Sequence, residues 1–580
     1  MGKTDKLNKL KLFWIHHRWL ILVLFLFYAP FLDIRMLRTT GDEKVYLAQA
    51  LEMKASGHWF CQLLGGAPDY YKGPLHYLLL LGGLKVFGLT LWSALYMNLL
   101  FCGIGAVALA EIIRQAFPEK KEWPFWARTF FAFNVGVYGH FFASQMEVEL
   151  AGIFSLALYL LWRKDSPKSE FLFWILAGLA GWLKSPLHSV LLGCSAILFW
   201  LLSGELGARL RSFRSWLYVV VGVGACAVGY APAYFLDHEN FIKFYIYRET
   251  FKPGNGGPWW QSLLSIITYY LIPWMGISLF SYFEFFVKLV KRQLTVKGME
   301  EKERRLWILA FSNFIFTVGF FCYHGYHGEN YTLPIISSVV ILVVLFLKGT
   351  AGRLLQFRKI GLAVSSLVIL VLAVGFQIVM HHFQFPKEVC PPWLLPLVWT
   401  VALTSVGLQL WESLSPRADG IGIRSALSNV GLMSLVGIVL AVLGETEVYS
   451  LKNVIRQDKA QGNKPSYIRY WNLNHLIWNE WGLMSFAIHE KVWPLLTEED
   501  LIQSIQRGDL ILARDTDRGK EIEELAKKRF PELKPKTYEW NRWKTHAEDG
   551  AGNSLLSKAW SQKDLSILWD HALILQFKNY

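Results

Sequence analysis

Cysteines at ligand spacing, internal repeats and low-complexity tracts are missing from this chain, and each absence removes a class of protein. The 580 residues include only 6 cysteines, at positions 61, 102, 194, 226, 322 and 390, with no CxxC and no ligand spacing. That excludes a disulfide scaffold or a thiolate metal cluster and leaves small apolar side chains buried in spans. No repeat or low-complexity tract is present. Charge is scarce as well, at 18% of residues. The formal balance is +14, yet the basic residues stand in short clusters between apolar runs and form no groove motif, which argues against nucleic acid as a partner. What the chain has instead is 53% hydrophobic and 16% aromatic residues, with a mean hydropathy of +0.29. These values exclude an ordinary soluble protein and predict an integral membrane protein. The opening MGKTDKLNKLKLFWIHHR lacks a small-residue cleavage site and reads as the flank of a retained first span.

A bilayer core takes about 20 mostly apolar residues per helix. Thirteen runs of roughly that length are found, some short, at 19–36, 92–113, 125–145, 149–162, 171–184, 187–203, 216–235, 262–287, 306–323, 331–347, 360–379, 393–411 and 425–444. The run 74–88, PLHYLLLLGGLKVFG, is shorter and holds His76 and Lys85, so it is assigned to a helix lying near the interface. Lysine and arginine concentrate in alternate loops, among them LGARLRSFR (206–214) and KRQLTVKGMEEKERR (291–305). This bias puts the N-terminus in the cytoplasm, and an odd number of spans then puts the C-terminus outside. The expected organisation is a transmembrane part over 1–444, with its first outer loop at 37–91, and an extracytoplasmic domain over 445–580. In the latter, Thr497 followed by three acids reads as a capped helix start, Arg507-Gly508-Asp509 as a turn, LILAR as a strand and KEIEELAKKRF as a helix stopped by Pro531, giving a small α/β domain.

With that topology the outer face collects the first loop, Glu147, Glu149, Lys184, the loop 236–260 and HGYHGEN (324–330). Ionisable residues at the edge of a span are costly unless they pair or line a cavity, so their concentration marks a site. The densest stretch runs from Asp42 to Pro74. Taken singly, Lys44, Lys54, His58 and Asp69 also fit ordinary solvated loop charge, and Asp42-Glu43 also fits the acidic start of a helix. His324, His327 and Glu329 are close enough to suggest a divalent metal, although no third-histidine spacing completes a site, and contact with a donor or with solvent is the leading reading. His381-His382 is read as interfacial, and Trp259-Trp260 and Trp393 as aromatic anchors at span ends. Lys184 either snorkels at a span end or reaches into the site.

The order of residues in the first loop carries a resemblance. GDExxY at Gly41–Tyr46 is followed by Gly57, Trp59, Gly65 or Gly66, Pro68, Tyr70 or Tyr71, Lys72, Gly73, Pro74, Leu75 and Tyr77. Then come Glu147, GLAGWLKSP at 178–186, PWW at 258–260 and YTLP at 331–334. This series resembles the polyprenyl-phosphate-sugar glycosyltransferases, which include the bacterial aminoarabinose transferases that modify lipid A and the protein O-mannosyltransferases. The resemblance runs from about residue 40 to about 335. It is specific in the first loop and looser after it.

The resemblance implies a GT-C membrane fold with about 13 transmembrane helices and transfer of a sugar from a polyprenyl (undecaprenyl) phosphate at the outer face of a bacterial inner membrane. It implies Asp42 as the catalytic carboxylate, Glu147 as a second acid, and Lys72 with Tyr331 at the donor phosphate. Glu43, Tyr71 and Lys184 would support them. Three departures stand out: Tyr71 occupies a position where the family usually has Glu, Gly73 replaces a proline, and the loop after the seventh span reads Arg248-Glu249-Thr250-Phe251-Lys252. The last leaves Arg248 and Lys252 as alternatives for the second phosphate-binding cation. A single base and in-line attack would invert the anomeric centre, and no cofactor is required. The acceptor is expected to be an envelope lipid such as lipid A, with a protein acceptor as the alternative. A non-enzymatic transporter of lipid-linked sugar is the reading from another class. It would need polar groups at the midplane and on both sides of the membrane, whereas the acids here gather on one side.

Overall fold

The computed structural model describes residues 43–163, 166–250, 300–323, 329–348, 353–383, 392–414, 451–457, 468–471, 491–513, 516–543, 554–563 and 569–578, with shorter pieces between 258 and 291 and between 428 and 485. The expected span at 19–36 lies outside the described residues, as do most of those at 262–287 and 425–444.

Helix α1 (Glu43–Ser56) leads into a short antiparallel hairpin, β1 (Leu63–Leu64) and β2 (Ala67–Pro68). The turn uses Gly65 and Gly66 at φ of 65° and 76°, a region that side chains disfavour. Both glycine N–H groups donate to the Glu52 carboxylate, at 2.7 and 2.8 Å, which ties the hairpin back to α1. Burial holds the Glu52 carboxyl above its usual range, against the lowering effect of those two donors. Helix α2 (Pro74–Val86) starts with proline at its first turn, where the missing N–H costs nothing. The run 74–88 is therefore helical as expected, and it turns Tyr77, Leu80, Leu81 and Leu84 inward.

The bundle continues with α3 (Leu91–Ala116), α4 (Trp123–Ala132), α5 (Val135–Phe141), α6 (Glu147–Trp162), α7 (Pro167–Leu183), α8 (Pro186–Leu202), α9 (Phe213–Leu236), a π-helical segment (Phe241–Thr250), α10 (Glu301–Tyr323), a 3-10 segment (Glu329–Ile335), α11 (Ile336–Lys348), α12 (Arg353–His382) and α13 (Leu394–Leu414). Where the apolar run suggested one span over 125–145, two helices form. Asn134 caps α5, its side chain accepting from the Gly136 N–H at 2.9 Å, and the chain breaks there.

Among the described residues five helices are long and apolar enough to cross a membrane: α3, α9, α10, the 359–382 part of α12, and α13. The expected number of thirteen is not established by them. Helix α3 is mostly buried, whereas α9 exposes Trp216, Leu217, Val220, Val223 and Val228, the surface expected of a helix facing lipid. Helices α7 and α9 approach closely through glycines: a Cβ at Gly178 would stand 2.7 Å from the carbonyl oxygen of Gly222.

Towards the C-terminus a five-stranded mixed sheet forms from β3 (Ile468–Trp471), β4 (Val492–Leu495), β5 (Leu510–Ala513), β6 (Lys534–Trp543) and β7 (Trp569–Lys578), in the order β4-β3-β5-β7-β6. Strand β3 pairs in parallel with β4 and β5, while β7 pairs antiparallel with β5 and β6. The strand period of two separates the faces. Ile511, Ala513 and Leu575 pack under α14 (Glu498–Arg507) and α15 (Thr516–Arg529), whereas Ile468, Tyr470, Leu510, Leu512 and Ile574 belong to the same apolar cluster as the membrane helices. One face of the sheet thus carries its helices and the other is continuous with the bundle. The RGD triplet is a turn: Gly508 ends α14 at φ 70°.

Thr497 and Asp500 form a reciprocal capping box at the start of α14, as the sequence suggested. Thr497→Ala is expected to cost about 1 kcal/mol locally. Hydrogen exchange over 497–507 should read this as roughly fivefold faster opening.

Candidate active site

The segment ending the first loop is held by side chains that sequence reasoning did not single out. Gln62, buried, accepts from the N–H groups of Tyr71 and Lys72 at 2.8 and 3.3 Å and donates to the Lys72 carbonyl at 2.7 Å. Gln49 donates to the Asp69 carbonyl at 2.6 Å and accepts from the Tyr77 hydroxyl at 2.5 Å. Tyr70 donates to the Cys61 sulfur at 3.2 Å, and its ring meets Phe241 edge-on at 5.6 Å. Burial raises the Tyr70 hydroxyl well above its ordinary range, so it stays a neutral donor. Through Phe241 and Tyr245, the π-helical segment that carries Arg248 docks on this loop. The Lys72 ammonium sits over the Tyr71 ring, 4.1 Å from its centroid.

Gly73, one of the departures from the family pattern, has a geometric reason. Its N–H donates to the carbonyl of Lys184 at 3.2 Å. A Cβ at this position would overlap the carbonyl oxygen of Trp182. Proline lacks the N–H and has the Cβ, so the usual residue would fit neither contact. The consequence is that the backbone of Lys72-Gly73 lies directly against the α7–α8 junction.

Lys184 is the last residue before that junction, and only 6% of its surface is exposed. Its ammonium donates to Glu147 at 2.6 Å and stands 4.2 Å from the Tyr331 ring centroid. Three residues from separate parts of the sequence therefore meet, and Lys184 is paired within the protein and does not snorkel to solvent. Glu147 is the first residue of α6, where the helix dipole favours negative charge. Glu43, fully buried, accepts from the Ser144 N–H, which brings the start of α1 to the segment just before Glu147.

Two further histidines carry no individual role in the sequence reading, and Glu149 is placed there only among the outer-face charges. His76 on α2 and Glu149 on α6 form a fully buried pair, with Nδ1 to Oε1 at 2.9 Å. His188, in the first turn of α8, is also buried. A polar residue inside the run PLHYLLLL, and a second glutamate two positions after Glu147, were the available signals.

Asp42, Lys252, His324 and His327 lie outside the described residues. Arg248 lies in the π-helical segment and Glu329 opens the 3-10 segment, but their side chains are outside the described ones. Among the described residues no three metal-type ligands come together. The structure thus gathers Lys72, Tyr71, Lys184, Glu147 and Tyr331, with Glu43 close in the chain to Asp42. The Lys184 ammonium, its Glu147 partner and the Tyr331 ring meet, and the backbone of Lys72-Gly73 lies against the same junction.

Gly73→Pro, which restores the commoner residue, is expected to destabilise the protein by about 2 kcal/mol through the lost hydrogen bond and the overlap. A thermal-unfolding midpoint in detergent checks this, and an unchanged midpoint contradicts the packing given above.

No family model matches the chain, and no curated protein matches it by sequence. Solved structures do match by shape. The crystal structure of ArnT from Cupriavidus metallidurans bound to undecaprenyl phosphate superposes with a TM-score of 0.62 at 16% identity, covering 96% of this chain and 98% of that one. The apo structure of the same protein gives 0.62 at 17%, covering 97% and 98%. The match runs nearly end to end, so the chain has the GT-C fold seen in those structures.

Proposed function

We propose that this protein is a membrane glycosyltransferase that moves a sugar from a polyprenyl phosphate, undecaprenyl phosphate being the expected carrier, to an envelope acceptor such as lipid A. The observation that supports this reading is the meeting of Lys184 with Glu147 and Tyr331 at the junction against which the Lys72-Gly73 backbone packs. The fold adds to it, because a solved protein of the same shape holds undecaprenyl phosphate.

Breaking the bond between a sugar and a phosphate builds positive charge on the sugar ring and negative charge on the departing oxygen. Lysines fixed in advance where that negative charge grows stabilise the transition state more than the ground state. Lys72 and Lys184 are held in this way, Lys72 by the Gln62 clamp on its backbone and Lys184 by Glu147. Tyr331 and a cation of the 241–252 segment, Arg248 or Lys252, would complete the phosphate contacts. Asp42 would act on the opposite side, accepting the proton of an acceptor hydroxyl or orienting an acceptor phosphate. One base and one displacement give inversion. The lysines supply the positive charge, so no resident cofactor is required; a divalent ion at His324, His327 and Glu329 would only add to it.

In this reading the donor is lipid-linked and the site faces the outer side of a bacterial inner membrane, with the N-terminus in the cytoplasm and the C-terminal sheet in the periplasm. The loop-charge bias supports that orientation.

Asp42→Asn is expected to abolish transfer, and Lys72→Ala to weaken donor use by at least tenfold in kcat/KM, with both variants still inserting into the membrane. Reconstituted protein with undecaprenyl-phosphate sugar provides the assay. Normal turnover by Asp42→Asn would remove its assignment. Mass spectrometry of lipid A and other envelope glycans from a deletion strain identifies the acceptor, and unchanged envelope glycans would sink the glycosyltransferase reading.

A further inference from the structure

We infer that His188 is a third ligand of the donor phosphate, donating a hydrogen bond from Nε2 alongside Lys72 and Lys184. This rests on the reading of the donor as a polyprenyl phosphate.

His188 is 2% exposed, and among the described residues its Nε2 has no hydrogen-bond partner. Leaving a buried donor unsatisfied is costly, so an orphan of this kind calls for a partner that the described residues do not supply. The other ring nitrogen is occupied: Nδ1 lies 3.3 Å from the Ser185 hydroxyl and 3.4 Å from the Ser185 carbonyl. With the hydroxyl donating to Nδ1, the arrangement this inference requires, the proton sits on Nε2.

The surroundings identify the partner as an anion. His188 follows Lys184 by four residues, at the junction where Lys184 meets Glu147. Glu147 is already engaged with Lys184 through Oε1. The Gly73 N–H bond to the Lys184 carbonyl brings the Lys72 segment to the same junction from which His188 follows four residues later. A phosphate answers each need at once: its oxygens accept from both lysines and from Nε2–H.

The test measures affinity for a polyprenyl phosphate and for the corresponding neutral polyprenol, using the full-length protein in lipid nanodiscs. The wild type should prefer the phosphate. His188→Leu should reduce that preference about tenfold or more while leaving the polyprenol affinity unchanged. His188→Gln, whose amide N–H reaches toward the Nε2 position, should keep most of the preference. If the leucine variant does not insert, His188→Phe keeps the ring volume and carries the same expectation. A preference that survives loss of the ring nitrogen overturns the assignment. Equal loss of phosphate and polyprenol also overturns it, because that is the signature of packing alone. A wild type with no preference for phosphate removes the donor reading itself, whatever His188 does, which separates the two failures.

Discussion

One lysine links the parts of the site. Lys184 reaches α6 through its ammonium, by the bond to Glu147, and the 3-10 segment through the Tyr331 ring. Its backbone carbonyl receives the Gly73 N–H and so fixes the segment that carries Lys72. Burying an ammonium at a helix end is costly unless a counter-charge meets it. Replacing a buried ion pair with apolar residues is often neutral or stabilising, so the pair contributes more to position than to stability. Position is what the site needs, because the three segments are far apart in the chain.

The parts of this arrangement that could be read from sequence are those with local signals. Apolar runs, Pro74 at a helix start, the Thr497 capping box and the turn at Gly508 follow from spacing and residue type, and the structure shows each of them. The break at Asn134 was missed because a cap inside an apolar run changes its hydropathy very little. The long-range pairs were missed for a deeper reason. His76 and Glu149 are 73 residues apart and Lys184 and Glu147 are 37 apart, and no local pattern encodes a partner at such distances. The oddity at Gly73 was visible in sequence, but its cause, the backbone of Trp182 and Lys184, could be seen only in three dimensions.

The first turn of α6 shows how the protein tolerates this much buried charge. Glu147 and Glu149 are near neighbours of like sign, an unfavourable arrangement by itself. Both stand at the positive end of a helix dipole. Each takes a partner from a different element: Lys184 from the α7–α8 junction and His76 from α2. The two carboxylates thus act as a fixed node to which elements carrying the basic groups are attached. Sites built on helix ends in this way hold their geometry better than sites built on loops alone.

That node has a consequence for the proposed reaction. A donor phosphate reaching Lys184 must compete with Glu147 for the same ammonium. The resting pair keeps the lysine ordered before the donor arrives, so little side-chain entropy remains to be lost on binding. In the proposed reaction, a phosphate gaining charge on leaving the sugar would draw Lys184 more strongly and leave Glu147 less neutralised. Separating two groups that began as a pair would then meet charge developing on the substrate, a differential stabilisation of the kind that lowers a barrier.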